Sequence, residues 1–215
     1  MRWLKEIFER SAIVGGDLNS TPAAIDRVLR RLGIEARMGN APTYLFNKEG
    51  FLELARLPCF DNFVVSDKEI SEFKLQPLIK LPEIVGKNPR ELIRELGLAS
   101  DHVPVIGYFV KGDKTLRIGT FNVADPVFWS KYYPAAGAGF DLGKEVERWE
   151  RIEVLVEELK KRCDVVVLQE APAGLARRLG GEARKMAKTE RDERGFWRVS
   201  QKQPEGISNL VLIEH

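Results

Sequence analysis

The sequence predicts an α/β fold, and three observations carry that prediction. Segments with apolar residues at helical spacing alternate with short runs rich in β-branched and aromatic residues. Residues 103–110 and 116–123 read as apolar strands separated only by the polar turn Lys111-Gly112-Asp113-Lys114, so they pair as an antiparallel hairpin. Residues 164–169 form a nearly continuous apolar run, as a strand buried on both faces does.

A chain of 215 residues suits a single domain. With 44% hydrophobic residues it can bury a core, and a net charge of +2 means that any basic binding face is local. Cys59 and Cys163 have neither metal-ligand nor redox spacing and read as reduced core thiols, which points to a cytoplasmic protein. No apolar run reaches membrane-spanning length and the first residues lack a signal-peptide pattern, so neither a membrane nor secretion is expected. The only histidines are His102 and His215, which argues against a histidine-rich metal site.

Taken in order, residues 1–10 place Trp3, Leu4, Ile7 and Phe8 at helical spacing and read as a short amphipathic helix. A strand then leads through Ile13-Val14-Gly15-Gly16 to Asp17-Leu18-Asn19. Alternate residues of a strand share a face, so Asp17 and Asn19 point together while Leu18 turns to the core. Residues 21–32 read as a helix capped by Thr21 or Ser20, with Pro22 in its first turn and Gly33 as its stop. Residues 38–48 look like a loop, 60–66 like a strand and 88–98 like a helix. Beyond the hairpin, residues 125–143 form a long Gly- and aromatic-containing loop of the kind that lies over a site. Residues 144–162 make a helix with Val146, Trp149, Ile152, Val156 and Leu159 broadly on one face. A basic helical stretch over 173–188 and weaker strands at 196–200 and 209–214 complete the chain.

Polar side chains gather at four strand ends: Asp17 with Asn19, Asp101 with His102, Asn122, and Glu170. Each alone reads as a strand ending in a polar turn. A carboxylate at the end of a buried strand is costly, however, unless it is paired or binds a cation. Four such ends on packed sheets suggest one shared cleft, and oxygen ligands with a single histidine nearby suit Mg²⁺ or Mn²⁺ rather than zinc.

Gly16-Asp17-Leu18-Asn19-Ser20-Thr21-Pro22, Ser100-Asp101-His102-Val103-Pro104-Val105, Ile118-Gly119-Thr120-Phe121-Asn122-Val123 and Val167-Leu168-Gln169-Glu170 resemble the four signature motifs of the endonuclease/exonuclease/phosphatase superfamily, the DNase I-like metal-dependent phosphoesterases. Arg148-Trp149 and Arg151 open a helix leading to the Leu-Gln-Glu strand, and Phe60-Asp61-Asn62-Phe63 resembles the family segment whose aspartate orients a catalytic histidine. The resemblance implies a four-layer α/β sandwich: two mixed β-sheets packed face to face, helices outside, and loops forming a cleft at one edge. It implies Glu170 as principal metal ligand, supported by Asn122, with Asp101 as a second ligand. Asp17 would position or deprotonate the attacking water, and Asn19 would hydrogen-bond the phosphoryl oxygens. His102, held by Asp61, would act as general base or stabilise charge on the phosphorane. Thr43 and Tyr44 resemble a substrate-side loop, and His215 is the one candidate for a further phosphate-facing histidine.

The order of the motifs departs from the family's. The Phe-Asn-Val and Leu-Gln-Glu motifs come first there, whereas here residues 1–110 match the C-terminal half and residues 115–215 the N-terminal half. A circular permutation of one domain, with the old termini fused at Lys111–Lys114, accounts for this. A fragment spanning the tail of one domain and the head of the next is the alternative. The expectation is a Mg²⁺-dependent phosphodiester hydrolase acting on DNA or RNA. A phosphatase of small or lipid phosphoesters and a non-catalytic phosphate-binding or scaffolding member of the fold are its alternatives.

Overall fold

A computed structural model of the chain describes residues 13–18, 20–41, 43–44, 59–66, 68, 70–79, 99–123, 142–172, 179, 184–185, 188–191, 197–200 and 207–213. These residues form a mixed α/β structure with two principal β-sheets and two helices.

The smaller sheet has the order β1-β3-β2, formed by β1 (Ile13–Asp17), β3 (Asp61–Ser66) and β2 (Ala36–Met38). Between β1 and β2 runs α1 (Pro22–Arg31), which begins where expected. The Thr21 side chain caps it by accepting from Ala24 N at 3.4 Å, and Pro22 occupies the first turn, where its missing N–H costs nothing.

The larger sheet has six strands in the order β4-β5-β6-β7-β11-β8. These are β4 (Glu72–Pro77), β5 (Val105–Lys111), β6 (Lys114–Asn122), β7 (Val165–Pro172), β11 (Ile207–Ile213) and β8 (Arg184–Lys185). The hairpin holds as expected: β5 and β6 pair antiparallel from Val105↔Thr120 to Lys111↔Lys114, and Gly112 takes the positive φ of 58° that the tight turn needs. β6 and β7 are parallel, joined by α2 (Leu142–Arg162) as a parallel pair requires. A separate ribbon pairs β9 (Lys188–Arg191) with β10 (Trp197–Ser200).

Successive residues of the larger sheet serve two cores. Ile106, Phe121, Val166 and Leu168 face α2, where Ile152, Val156 and Leu159 complete one cluster. Val105, Phe109 and the partly buried Ile118 point the other way and meet Phe63 and Val65 of β3 in a second cluster. The two sheets therefore touch through side chains on their inner faces. Cys59 and Cys163 are free and buried, as expected of core thiols, and burial pushes the Cys163 thiol up to about 11.

Several expectations need correction. Only the larger sheet is mixed among the described residues; the smaller one is antiparallel throughout, because β3 inserts between β1 and β2 and runs against both. β4 was not expected: its apolar content is low because alternate residues Glu72, Lys74 and Gln76 face solvent. The basic stretch at 173–188 is not one helix, since Arg184–Lys185 form β8 and Lys188 begins β9. Val146 is 45% exposed, outside the buried face of α2, whereas Arg148 is buried. The expected helices at 1–10 and 88–98 and residues 125–141 of the loop expected at 125–143 lie outside the described residues, whereas Leu142 and Gly143 belong to α2.

Candidate functional site

Asp17 ends β1 and Asp61 begins β3, and the two are direct partners across the antiparallel ladder. Like charges placed opposite each other repel, so this register needs a cation between them. His102 takes that place. Its Nδ1 lies 2.8 Å from Asp61 Oδ2, and its Nε2 is 4.0 Å from Asp17 and 3.9 Å from Asp101. The expected Asp61–His102 pairing is therefore present. Burial alone pushes the imidazole down, but Asp61 above all, then Asp101 and Asp17, raises it to about 9. Complete burial raises the Asp61 carboxyl, opposed by the imidazolium. The proton of the pair belongs on His102, where four neighbouring acidic groups favour a positive charge: Asp61, Asp101, Asp17 and the more distant Glu170.

Two elements hold this pair from behind. Thr43 Oγ1 accepts from the Asp61 amide at 2.9 Å, and Thr43 O accepts from Val103 N at 2.7 Å. Thr43 is fully buried, so it supports Asp61 from within and does not line an open substrate surface as its motif implied. Tyr44 forms an isolated β-bridge with His102, and its ring lies 4.7 Å from the imidazole and 5.0 Å from Phe60. Asn62 fastens the preceding turn, with its amide accepting from Gly39 N and donating to Gly39 O.

The other side of the site comes from β6 and β7. Asn122 ends β6, and its Nδ2 donates to Asp17 Oδ2 at 2.8 Å and to Glu170 Oε1 at 3.1 Å. Its two partners lie 105 and 48 residues away in the chain. The halves that the motif order separates thus meet within one molecule.

Glu170 does not simply end a strand. β7 continues to Pro172, and its register with β11 slips: Leu168 faces Leu210 and Ala171 faces Ser208. Gln169 and Glu170 therefore stand against the single position 209, which is a β-bulge. Glu170 has φ 54°, a left-handed conformation that carboxylate residues adopt rarely and at some cost. The bulge re-aims its side chain toward Asn122. Burial raises the Glu170 carboxyl, the Asn122 amide and His102 lower it, and Asp17 and Asp101 raise it further.

Gly16 and Gln169 bring the sheets close here. Gln169 exchanges hydrogen bonds with Thr120 at 2.9 and 3.0 Å, and a Cβ at Gly16 would lie 3.2 Å from its Nε2.

Asp17, Asp101 and Glu170 bring carboxylates close enough to bear on one another and on His102 electrostatically. Among the described residues, Asp17, Asp61 and His102 bring ligand atoms within 4.8 Å of one another, a cluster that could hold a metal ion.

Of the residues expected from sequence, the structure brings together Asp17, Asp61, Asp101, His102, Asn122 and Glu170, while Asn19 and His215 lie outside the described residues. Sequence reasoning gave no role to Arg148, which donates to Ala99 O and Val123 O beside the site. Its signal was helical phase: at 100° per residue it lies about 40° from Ile152, whereas Val146 lies about 120° away. In comparisons with family models, curated proteins and solved structures, nothing matches this chain.

Proposed function

We propose that this protein is a divalent-metal-dependent phosphodiester hydrolase acting on nucleic acid, built as a four-layer sandwich of the endonuclease/exonuclease/phosphatase type with its halves circularly permuted. The observation that carries this reading is the Asn122 amide, bonded at once to Asp17 and Glu170 in a single chain. A fragment of two domains has no reason to join these motifs in one site. The hairpin turn at Gly112 joins neighbouring antiparallel strands, as a fusion of adjacent old termini would.

A cation held by Glu170 with help from Asp101 would neutralise charge on the phosphoryl and leaving oxygens. The remaining chemistry falls to the side chains. The acidic neighbours of His102, Asp61 above all, favour its protonated form, which supports a role as donor to a phosphoryl oxygen. Asp17, 4.0 Å from that imidazole, is left to orient the attacking water and accept its proton. Asn122 fixes Asp17 relative to Glu170. Nucleic acid is preferred as substrate because the sequence carries no recognisable inositol-phosphate motif.

Nicking of supercoiled plasmid with Mg²⁺ tests the reading. The wild-type chain nicks, and Glu170→Gln and His102→Ala each lose at least about a hundredfold in rate. Full activity in either variant overturns the site assignment. Binding of DNA without cleavage by the wild type overturns the enzymatic reading.

A further inference from the structure

We propose that Arg148 is a positioning residue whose buried guanidinium clasps the segment before Asp101-His102 to the segment after Asn122, setting the histidine side of the cleft against the Glu170 side. The catalytic consequence rests on the hydrolase reading above; the clasp itself does not.

The need for a clasp arises where the β5–β6 ladder stops, at Val105↔Thr120. Beyond that pair the two strands turn to different neighbours: Val103 N donates to Thr43 O, and Val123 N donates to Gln169 O. The parting opens room for Asp101, His102 and Asn122, but it removes the backbone bonds that would fix them relative to one another. Side chains replace those bonds. Ser100 Oγ donates to Asn122 O at 2.7 Å and accepts from His102 N at 3.1 Å. Arg148 Nη1 donates to Ala99 O at 3.0 Å and to Val123 O at 2.9 Å. Arg148 thus holds the residue just before Ser100 and the residue just after Asn122.

Packing alone does not explain an arginine here. Arg148 is 2% exposed, and a buried guanidinium carries a desolvation cost that a methionine of similar length would avoid. What methionine lacks is a donor for two carbonyls. The guanidinium is steadied by the Trp149 ring, 4.7 Å away, and by a helix anchored through Ile152, Val156 and Leu159. On the other side of the cleft, Asn122 and Gln169 remain paired in the β6–β7 ladder whatever happens at Arg148. Removing the clasp should therefore misplace His102 and Asp101 while leaving the Asn122–Glu170 contact in place.

The test compares wild type, Arg148→Met and Arg148→Lys in the full chain by hydrogen exchange, Mn²⁺ binding by electron paramagnetic resonance, and plasmid nicking. In Arg148→Met, amides of residues 99–103 exchange at least about tenfold faster, while those of 121–123 and of the β5–β6 ladder keep their protection. Its kcat falls about 10- to 100-fold with KM within about threefold of wild type, the Mn²⁺ Kd rises as Asp101 shifts, and Arg148→Lys recovers part of both losses. Wild-type exchange at 99–103 in Arg148→Met overturns the clasp. So does a uniform loss of protection across the whole sheet in both variants. Wild-type kcat in a variant that does show local opening overturns the positioning role. A wild-type chain that neither binds Mn²⁺ nor nicks DNA overturns the hydrolase reading instead, and the exchange data still decide the clasp.

Discussion

The Asp17–Asp61 ladder pair sets the terms of the site, because two facing carboxylates hold their register only with positive charge between them. That charge is supplied by the His102 imidazolium, raised to about 9 from its ordinary value by Asp61 above all, against burial. A raised value means that folding gains from the bound proton. The gain is complete below an unfolded-state value of about 6.5 and is lost as pH climbs through the folded one. Metal-free wild type should therefore melt at lower temperature at pH 9.5 than at pH 6.5, and His102→Gln should flatten that decline; equal slopes would remove His102 as its source. Gly16 tests the closeness of the two sheets in the same region. Its φ is 133°, and a methyl group added there would meet Gln169 Nε2 at 3.2 Å, so Gly16→Ala is expected to cost about 1–3 kcal/mol in chemical denaturation. An unchanged midpoint would mean that the Gln169–Thr120 pair yields freely.

Among the elements, α2 shows how phase and burial separate residues of like chemistry. Leu159 and Val154 are both aliphatic, yet Leu159 is fully buried against β6 and β7 while Val154 is 68% exposed. Leu159→Ala should cost about 2–5 kcal/mol through lost burial and the cavity it leaves. Val154→Ala should stay within about 0.5 kcal/mol. Denaturant midpoints check both, and equal costs would mean that the helix is not anchored through that face. The same phase is readable in the sequence for Ile152, Val156 and Leu159. Arg148 escapes such a reading because a charged side chain ordinarily belongs on the solvated face, and only the two carbonyls that it reaches reverse that expectation.

At the scale of the molecule, the order of the halves is the property to test. A re-cut chain that starts at Asp113, ends at Gly112 and joins His215 to Met1 by a flexible Gly/Ser linker restores the motif order of the superfamily. It should fold with the wild-type circular dichroism spectrum and nick plasmid at a rate within about tenfold of the native arrangement. A re-cut chain that folds but has no activity, beside an active wild type, would count against a permuted domain.

The sequence by itself determined the local features that rest on short-range chemistry. These were the hairpin at Gly112, the capped helix after Thr21, the β7 strand, though Val165 and Val167 are only half-buried where burial on both faces was expected, and the polar strand ends that became Asp17, Asp101, His102, Asn122 and Glu170. β4 escaped because an edge strand with alternate charged residues looks like a surface loop. Only the tertiary structure decided that β3 separates β1 from β2, that a bulge turns Glu170 into a left-handed conformation, and that Thr43 stands behind Asp61. It also decided that Asp17 and Glu170, far apart in the chain, meet at the Asn122 amide. The physical reason is one of range: caps, turns and periodicity are fixed by neighbours in the chain, whereas register slips and carboxylate pairing depend on contacts between residues that the sequence sets far apart.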